Sequence, residues 1–222
     1  MYDFNFAPVF GAMDQLLYGA WLTVKLSAMA MAIGLVVSIL CALAKTSGIR
    51  ALRIAVDIYV EAIRNTPFLV QIFFLYFGLP TLGIRLDPNT AALLALVINF
   101  GAYGTEIIRA GIESIQKGQI EAGTALGLSR LQVFRFVVLK PALRTVYPSL
   151  TSQFIYLMLT SSVVSVISAS DLASAGNDLQ SQTFASFEVY LVVTAIYLAL
   201  AVGFSAVFAA IQRAAFTYPL SR

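Results

Sequence analysis

Few side chains in this sequence can do covalent or redox chemistry. There is no histidine, and Cys41 is the single cysteine. A His/Cys metal cluster, a Cys–His nucleophile pair and an intrachain disulfide are therefore excluded. No G-x-x-x-x-G-K-[ST] loop is present to cradle phosphates, so the chain does not hydrolyse ATP by itself. What remains are polar groups standing alone in apolar surroundings: Thr66, Gln71, Asn99, Tyr103, Gln153, Thr160 and Ser161. An amide or hydroxyl in hydrocarbon is costly unless something hydrogen-bonds to it. Such residues line a polar path or support helix contacts. Serine and threonine commonly bond back to their own helix. Asn99 and Gln153, with full amides, are the better path candidates. Charges sit at the ends of the apolar runs: Glu61 and Arg64, then Glu106 and Arg109, an i,i+3 pair. These read as structural or gating charges.

Composition sets the elements that must hold these residues. The chain has 222 residues, of which 59% are hydrophobic and 11% charged. Five segments lack any charged side chain: 26–44, 65–84, 88–105, 145–170 and 189–212. A bilayer core needs about 20 residues of helix. The third segment is the shortest and must borrow flanking residues such as Glu106. In lipid the backbone must satisfy itself, which favours helices. A β-barrel would alternate apolar and polar residues, and these segments do not. The expected fold is an all-α integral membrane protein with five transmembrane helices, a single domain over 1–222. The N-terminal stretch lacks a basic n-region, so it is expected to be retained rather than cleaved. Cys41, inside the first span, reads as a small apolar packing residue.

Charge asymmetry gives the orientation. With the N-terminus outside, twelve of the fourteen Lys and Arg fall on the inner side, Arg222 at the C-terminus among them. Only Arg85 and Lys25 lie outside, and Lys25 can snorkel to the outer interface. The net charge of +3 follows from this topology and does not imply nucleic acid. The outer stretch "SASDLASAGNDLQSQTFASFE" predicts a surface helix or a docking loop.

The longest inner segment, about 110–144, exceeds what a connector needs. Two short helices are expected there, with a turn near 126–129. Gly127 suits a turn that a Cβ would hinder, and Ser129 suits an N-cap. Leu131, Phe134, Val137 and Val138 recur at helical spacing, and Pro141 should end or kink the segment before span four. An amphipathic, Gly-broken segment of this length suggests a docking surface.

The stretch "EAGTALGLSRLQVFRFVVLKPALR", from Glu121 to Arg144, resembles the cytoplasmic signature loop of ABC importer permeases. Glu121, Ala122 and Gly123 fill its Glu-Ala-Ala opening. Gly127 follows at the expected distance, and Val137 and Leu139 match its Ile-x-Leu-Pro end. Gly123 replaces the second Ala, and Lys140 takes the Pro place with Pro141 one residue later. "EAIRNTPFLVQIFFLYFGLP", "AYGTEIIRAGIESI", "SSVVSVIS" and "FEVYLVVTAIYLAL" are similar to segments of the polar amino acid permeases, the histidine/glutamine/arginine importer type.

The resemblance implies a type I ABC importer permease fold in a bacterial inner membrane, with the N-terminus outside and the C-terminus cytoplasmic. It implies two ATPase subunits, which use ATP and Mg, and a periplasmic or extracellular amino acid-binding protein; this chain binds no cofactor. Glu121, Ala122, Gly123, Gly127, Arg130, Gln132 and Phe134 would then shape or flank the coupling helix that seats on the ATPase. Many relatives carry an acidic residue at Gln153 and Lys-Asp at Leu159 and Thr160, and this chain has none of these charges. That absence favours a different but homologous second permease subunit, with two identical chains as the alternative. An independent channel or secondary transporter would show a paired repeat, and none is visible.

Overall fold

The computed structural model describes residues 4–216, and every long element among them is helical. A single turn, α1 (Ala7–Gly11), leads into α2 (Met13–Thr46), 34 residues long. At 1.5 Å per residue α2 reaches about 50 Å, more than a bilayer core of about 30 Å. One stripe of α2 is built from small residues: Gly19, Ala20, Thr23, Ser27, Ala30, Gly34, Ser38 and Ala42 are all buried. Small residues let two helix backbones approach closely. From Ala30 onward the partner is α5 (Pro88–Glu113), the most extensive packing neighbour of α2, while Gly19, Ala20 and Thr23 pack against residues 171–175. A Cβ on Gly34 would lie 2.8 Å from the Phe100 ring. Ser38 Oγ donates across the junction to the Gly101 carbonyl at 3.1 Å. Phe100, Leu96, Ile72 and Leu157 fill the centre of the main core.

The second span departs from expectation. Residues 65–84 do not form one straight helix. An amphipathic helix, α3 (Arg50–Arg64), bends by 108° into a second piece, Phe68–Leu82. That piece begins as α4 (Phe68–Phe73), widens into a π-helical stretch and ends in a 3₁₀ turn. Pro67 explains the break: it lacks an N–H, and it disfavours helical backbone at Thr66. A charge-free window cannot reveal this, because the break itself is uncharged. Val56 and Val60 dock α3 against Ala102 of α5, and Tyr59 Oη donates to the Ile98 carbonyl at 2.6 Å. The third span takes in Glu106, since α5 runs on to Glu113. Asp87 caps its start, and the bond from Thr90 holds that carboxyl below the usual carboxylate range.

In the segment expected on the inner side, α6 (Lys117–Ala125) is followed by a turn and by α7 (Arg130–Gln132). Contrary to expectation, Pro141 neither ends nor sharply kinks the helical run. A π-helical stretch, Val133–Val138, joins α7 to α8 (Leu139–Thr160), and with a final 3₁₀ turn the run spans Arg130–Ile167. Wider π turns relieve the crowding a proline imposes on the preceding turn. Fourth-span and docking segments are thus one rod. The outer stretch forms α9 (Leu172–Thr183), buried through Leu172, Ala175 and Leu179 against α2 and the last helix, α10 (Ser186–Ala215). Beyond Val189 and Val193, α10 presents most of its apolar surface outward. Arg222, counted on the inner side, lies outside the described residues.

Candidate functional site: a polar cleft and an inner docking helix

A cleft of about 370 Å³ opens between α3, α5 and α8, lined by Arg64, Tyr103, Glu106, Thr145, Ser149 and Gln153 among others. It adjoins a second hollow lined by Ser149, Ser152, Gln153 and Tyr156. The Gln153 Nε2 atom is buried, and no group among the described residues accepts from it. An amide N–H left so costs about 1–3 kcal/mol, which a ligand acceptor would relieve. The Arg64 guanidinium lies 5.5 Å from the Tyr103 ring centroid, a cation–π contact that holds it at the cleft.

Glu106 is present at the cleft but is already engaged. Its carboxylate accepts from Lys45 Nζ at 2.7 Å and from Arg109 Nη2 at 2.8 Å. Lys45 also pairs with Asp57 at 2.7 Å, and Arg109 pairs with Glu113. The network clamps α2, α3 and α5 together at one level. Glu106 and Arg109 pair as their i,i+3 spacing indicated, while Lys45 and Asp57 come from elements whose approach no spacing could reveal.

Of the seven path candidates, the structure brings two into the cleft, Tyr103 and Gln153. Three others form one bonded cluster that seals the break in span two. Gln71 Nε2 donates to the Ile63 carbonyl at 2.7 Å and to Thr66 Oγ1 at 3.0 Å. Asn99 Nδ2 donates to Gln71 Oε1 at 3.1 Å. Ser161 is fully buried and bonds back to the Met158 carbonyl at 2.7 Å. Thr160 closes α8 and does not line the cleft. Sequence reasoning misses Thr145, Ser149, Ser152 and Tyr156. Their signal is a polar stripe on α8 at i, i+4, i+7 and i+11, which singling out amides passes over.

The docking segment is built tightly. The Gly127 N–H donates to the Thr124 carbonyl at 3.0 Å and the Leu128 N–H to the Gly123 carbonyl at 3.2 Å. Together these form a Schellman motif, with Gly127 at φ +79° in the left-handed region. Ser129 caps the next helix. Its Oγ accepts from the Gln132 N–H at 3.4 Å, and its own N–H donates to Gln132 Oε1 at 2.9 Å, a capping box. Gln132 is thus engaged in the cap. Glu121, Ala122, Arg130 and Phe134 are exposed. Gly123 is buried, and a Cβ there would lie 3.3 Å from Val133 and Val137, so α6 is pressed onto the start of the α8 rod.

Residues 21–216 match the family described as "Binding-protein-dependent transport system inner membrane component". The glutamine transport system permease protein GlnP of Escherichia coli K12 is 36% identical over 213 residues, 95% of this chain and 97% of that protein. The probable glutamine ABC transporter permease GlnM of Bacillus subtilis is 35% identical over 201 residues, covering 90% and 93%. A crystal structure of an amino acid ABC transporter with histidines superposes with a TM-score of 0.90 at 34% identity, over 96% of this chain and 99% of that one. An inward-facing MetNI methionine ABC transporter shares the fold at a TM-score of 0.75 and 22% identity, covering 92% and 97%.

Proposed function

The chain belongs to the family of binding-protein-dependent transport system inner membrane components and is a non-catalytic permease subunit of an ABC importer; from that premise we propose that it forms half of an amino acid path and couples to ATPase subunits through residues 121–141. The observation that carries the proposal is the continuity of one rod. The run Arg130–Ile167 bears the α6 contact at Val133 and Val137 and the cleft residues Ser149 and Gln153. A push on α6 is therefore carried to the cleft wall along one unbroken helical run, which holds Pro148 beside Ser149. Glu121, Ala122, Arg130 and Phe134 offer the contact surface, while Gly123, Gly127 and Gln132 hold its shape. ATP and Mg are used by the partner ATPases. Shifting a two-state equilibrium from 1:99 to 99:1 takes about 5.5 kcal/mol of differential binding, all of which must pass through this contact.

In the cleft, an amino acid carboxylate would accept from Gln153 Nε2 and face the Arg64 guanidinium, with Tyr103 beside it. The substrate ammonium has no such counterpart, because Glu106 is neutralised by Lys45 and Arg109. Desolvating an unpaired charge is costly. A different, homologous permease subunit that supplies a free carboxylate completes the site, in an assembly with two ATPases and an amino acid-binding protein at the outer face. The N-terminus and α9 face outward, and α6 faces the cytoplasm.

Mild-detergent purification of the tagged chain from its native host, with mass measurement of the intact assembly, tests this reading. We expect one copy of this chain, one related permease and two ATPases, with amino acid uptake restored in proteoliposomes. Recovery without any ATPase, with uptake intact, would overturn the coupling; two copies of this chain would overturn the heterodimer alone.

A further inference from the structure

Between α2, α5 and α8, beside the cleft, lies a third hollow, of about 390 Å³, lined by apolar side chains only. Val138, Ala142 and Val146 form its buried floor. Leu43 of α2 and Leu143 of α8, both exposed, form facing walls. It borders the polar cleft at Val146, and no residue of the ion pairs described above lines it. We propose that this groove is a binding site for one acyl chain of an anionic phospholipid, whose headgroup pairs with Arg135.

Three observations select that occupant. The first is length. Phe134 and Leu150 line its two ends along the rod. Sixteen rises of about 1.5 Å separate them, roughly 24 Å, which lies within a bilayer core of about 30 Å. The groove is therefore long enough for an extended acyl chain. The second is chemistry. A wall without a polar group gives an extended peptide backbone nothing to bond, whereas a hydrocarbon chain needs nothing. The third is charge. Arg135 follows Phe134, the groove residue nearest the docking helix in sequence. It is exposed and makes no ion pair among the described residues, its contact being with the Phe136 ring at 5.7 Å. An exposed cation at the mouth of an acyl-sized groove matches an anionic headgroup. The π-helical stretch Val133–Val138 spans this point. The site itself does not depend on the transport reading.

The assembled importer, extracted from nanodiscs holding an equimolar mixture of phosphatidylglycerol and phosphatidylethanolamine, would be examined by native mass spectrometry. The wild type should retain phosphatidylglycerol preferentially. Arg135→Gln should lower that retention about fivefold, the effect of one basic contact at a membrane surface. Leu143→Trp, which fills the groove, should reduce retention of both lipids. If Leu143→Trp fails to assemble, Arg135→Gln still decides the matter from the surface. No preference for phosphatidylglycerol, or a preference unchanged in Arg135→Gln, would overturn the site. So would Leu143→Cys cross-linking to a second permease chain in place of retaining lipid.

Discussion

Gln153 and Asn99 carry the same amide group and meet opposite fates. Asn99 is bonded to Gln71 and closes a helix break, while Gln153 lines the cleft and keeps a buried Nε2 that no group among the described residues accepts from. Asp171 shows the same dependence on surroundings. It caps α9 by accepting from the Ser174 N–H at 2.7 Å, and Tyr197 Oη donates to its other oxygen at 3.2 Å. Yet burial pushes its carboxyl up to about 6, from an ordinary 3.8. The folded chain therefore holds that proton more tightly than the unfolded chain. The resulting stabilisation, up to about 3 kcal/mol, is fully present below about pH 4 and is lost as pH rises through about 6. Asp171→Asn keeps an N-cap and removes the titration. The thermal unfolding temperature of the wild type in detergent should fall between about pH 4 and about pH 7, and that of Asp171→Asn should stay level. Equal slopes in the two proteins would refute the assignment.

At the scale of elements, breaks matter as much as helices. Pro67 bends one span by 108°, and a cluster of Gln71, Thr66 and Asn99 satisfies the groups the bend frees. The turn after α6 is the second such break. A Cβ on Gly127 would meet nothing within 4 Å, so any penalty there is backbone strain alone. A β-branched side chain in the left-handed region costs about 1–2 kcal/mol or more, whereas asparagine tolerates it. Gly127→Val should reach the membrane yet lose most uptake and most substrate-stimulated ATP hydrolysis in proteoliposomes. Gly127→Asn should keep both. Gly123→Ala should also keep both, because its neighbours need give only a few tenths of an ångström. Full coupling in Gly127→Val would sink the role assigned to this turn.

For the whole molecule, the question is which end faces which compartment. Asn5 and Asn177 are exposed at the end where α1, α9 and the start of α10 meet, and Gln119 is exposed on α6. In a Cys41→Ala background, Asn5→Cys and Asn177→Cys should react with a membrane-impermeant thiol reagent on intact spheroplasts, and Gln119→Cys only after lysis. Labelling of Gln119→Cys in intact spheroplasts would reverse the orientation. The outward surface of α10, largely unburied in this chain, is consistent with a molecule that works inside a larger assembly or against lipid.

Much was legible in the sequence because membranes impose a coarse rule. Charge-free runs place helices, and Gly127 and Ser129 mark a turn and a cap through local backbone chemistry. These signals depend on residues near one another in the chain. Tertiary structure alone decided the rest. Whether a polar group faces a path or a partner depends on which helix lies opposite, so Gln71 and Asn99 became structural and Gln153 stayed open. The pairing of Lys45 with Glu106 joins residues 61 positions apart. The continuity of α8 past Pro141 required a π stretch that no charge or hydropathy pattern records. Long-range packing, unlike hydrophobicity, is a property of surfaces in contact, and a single sequence carries it only implicitly.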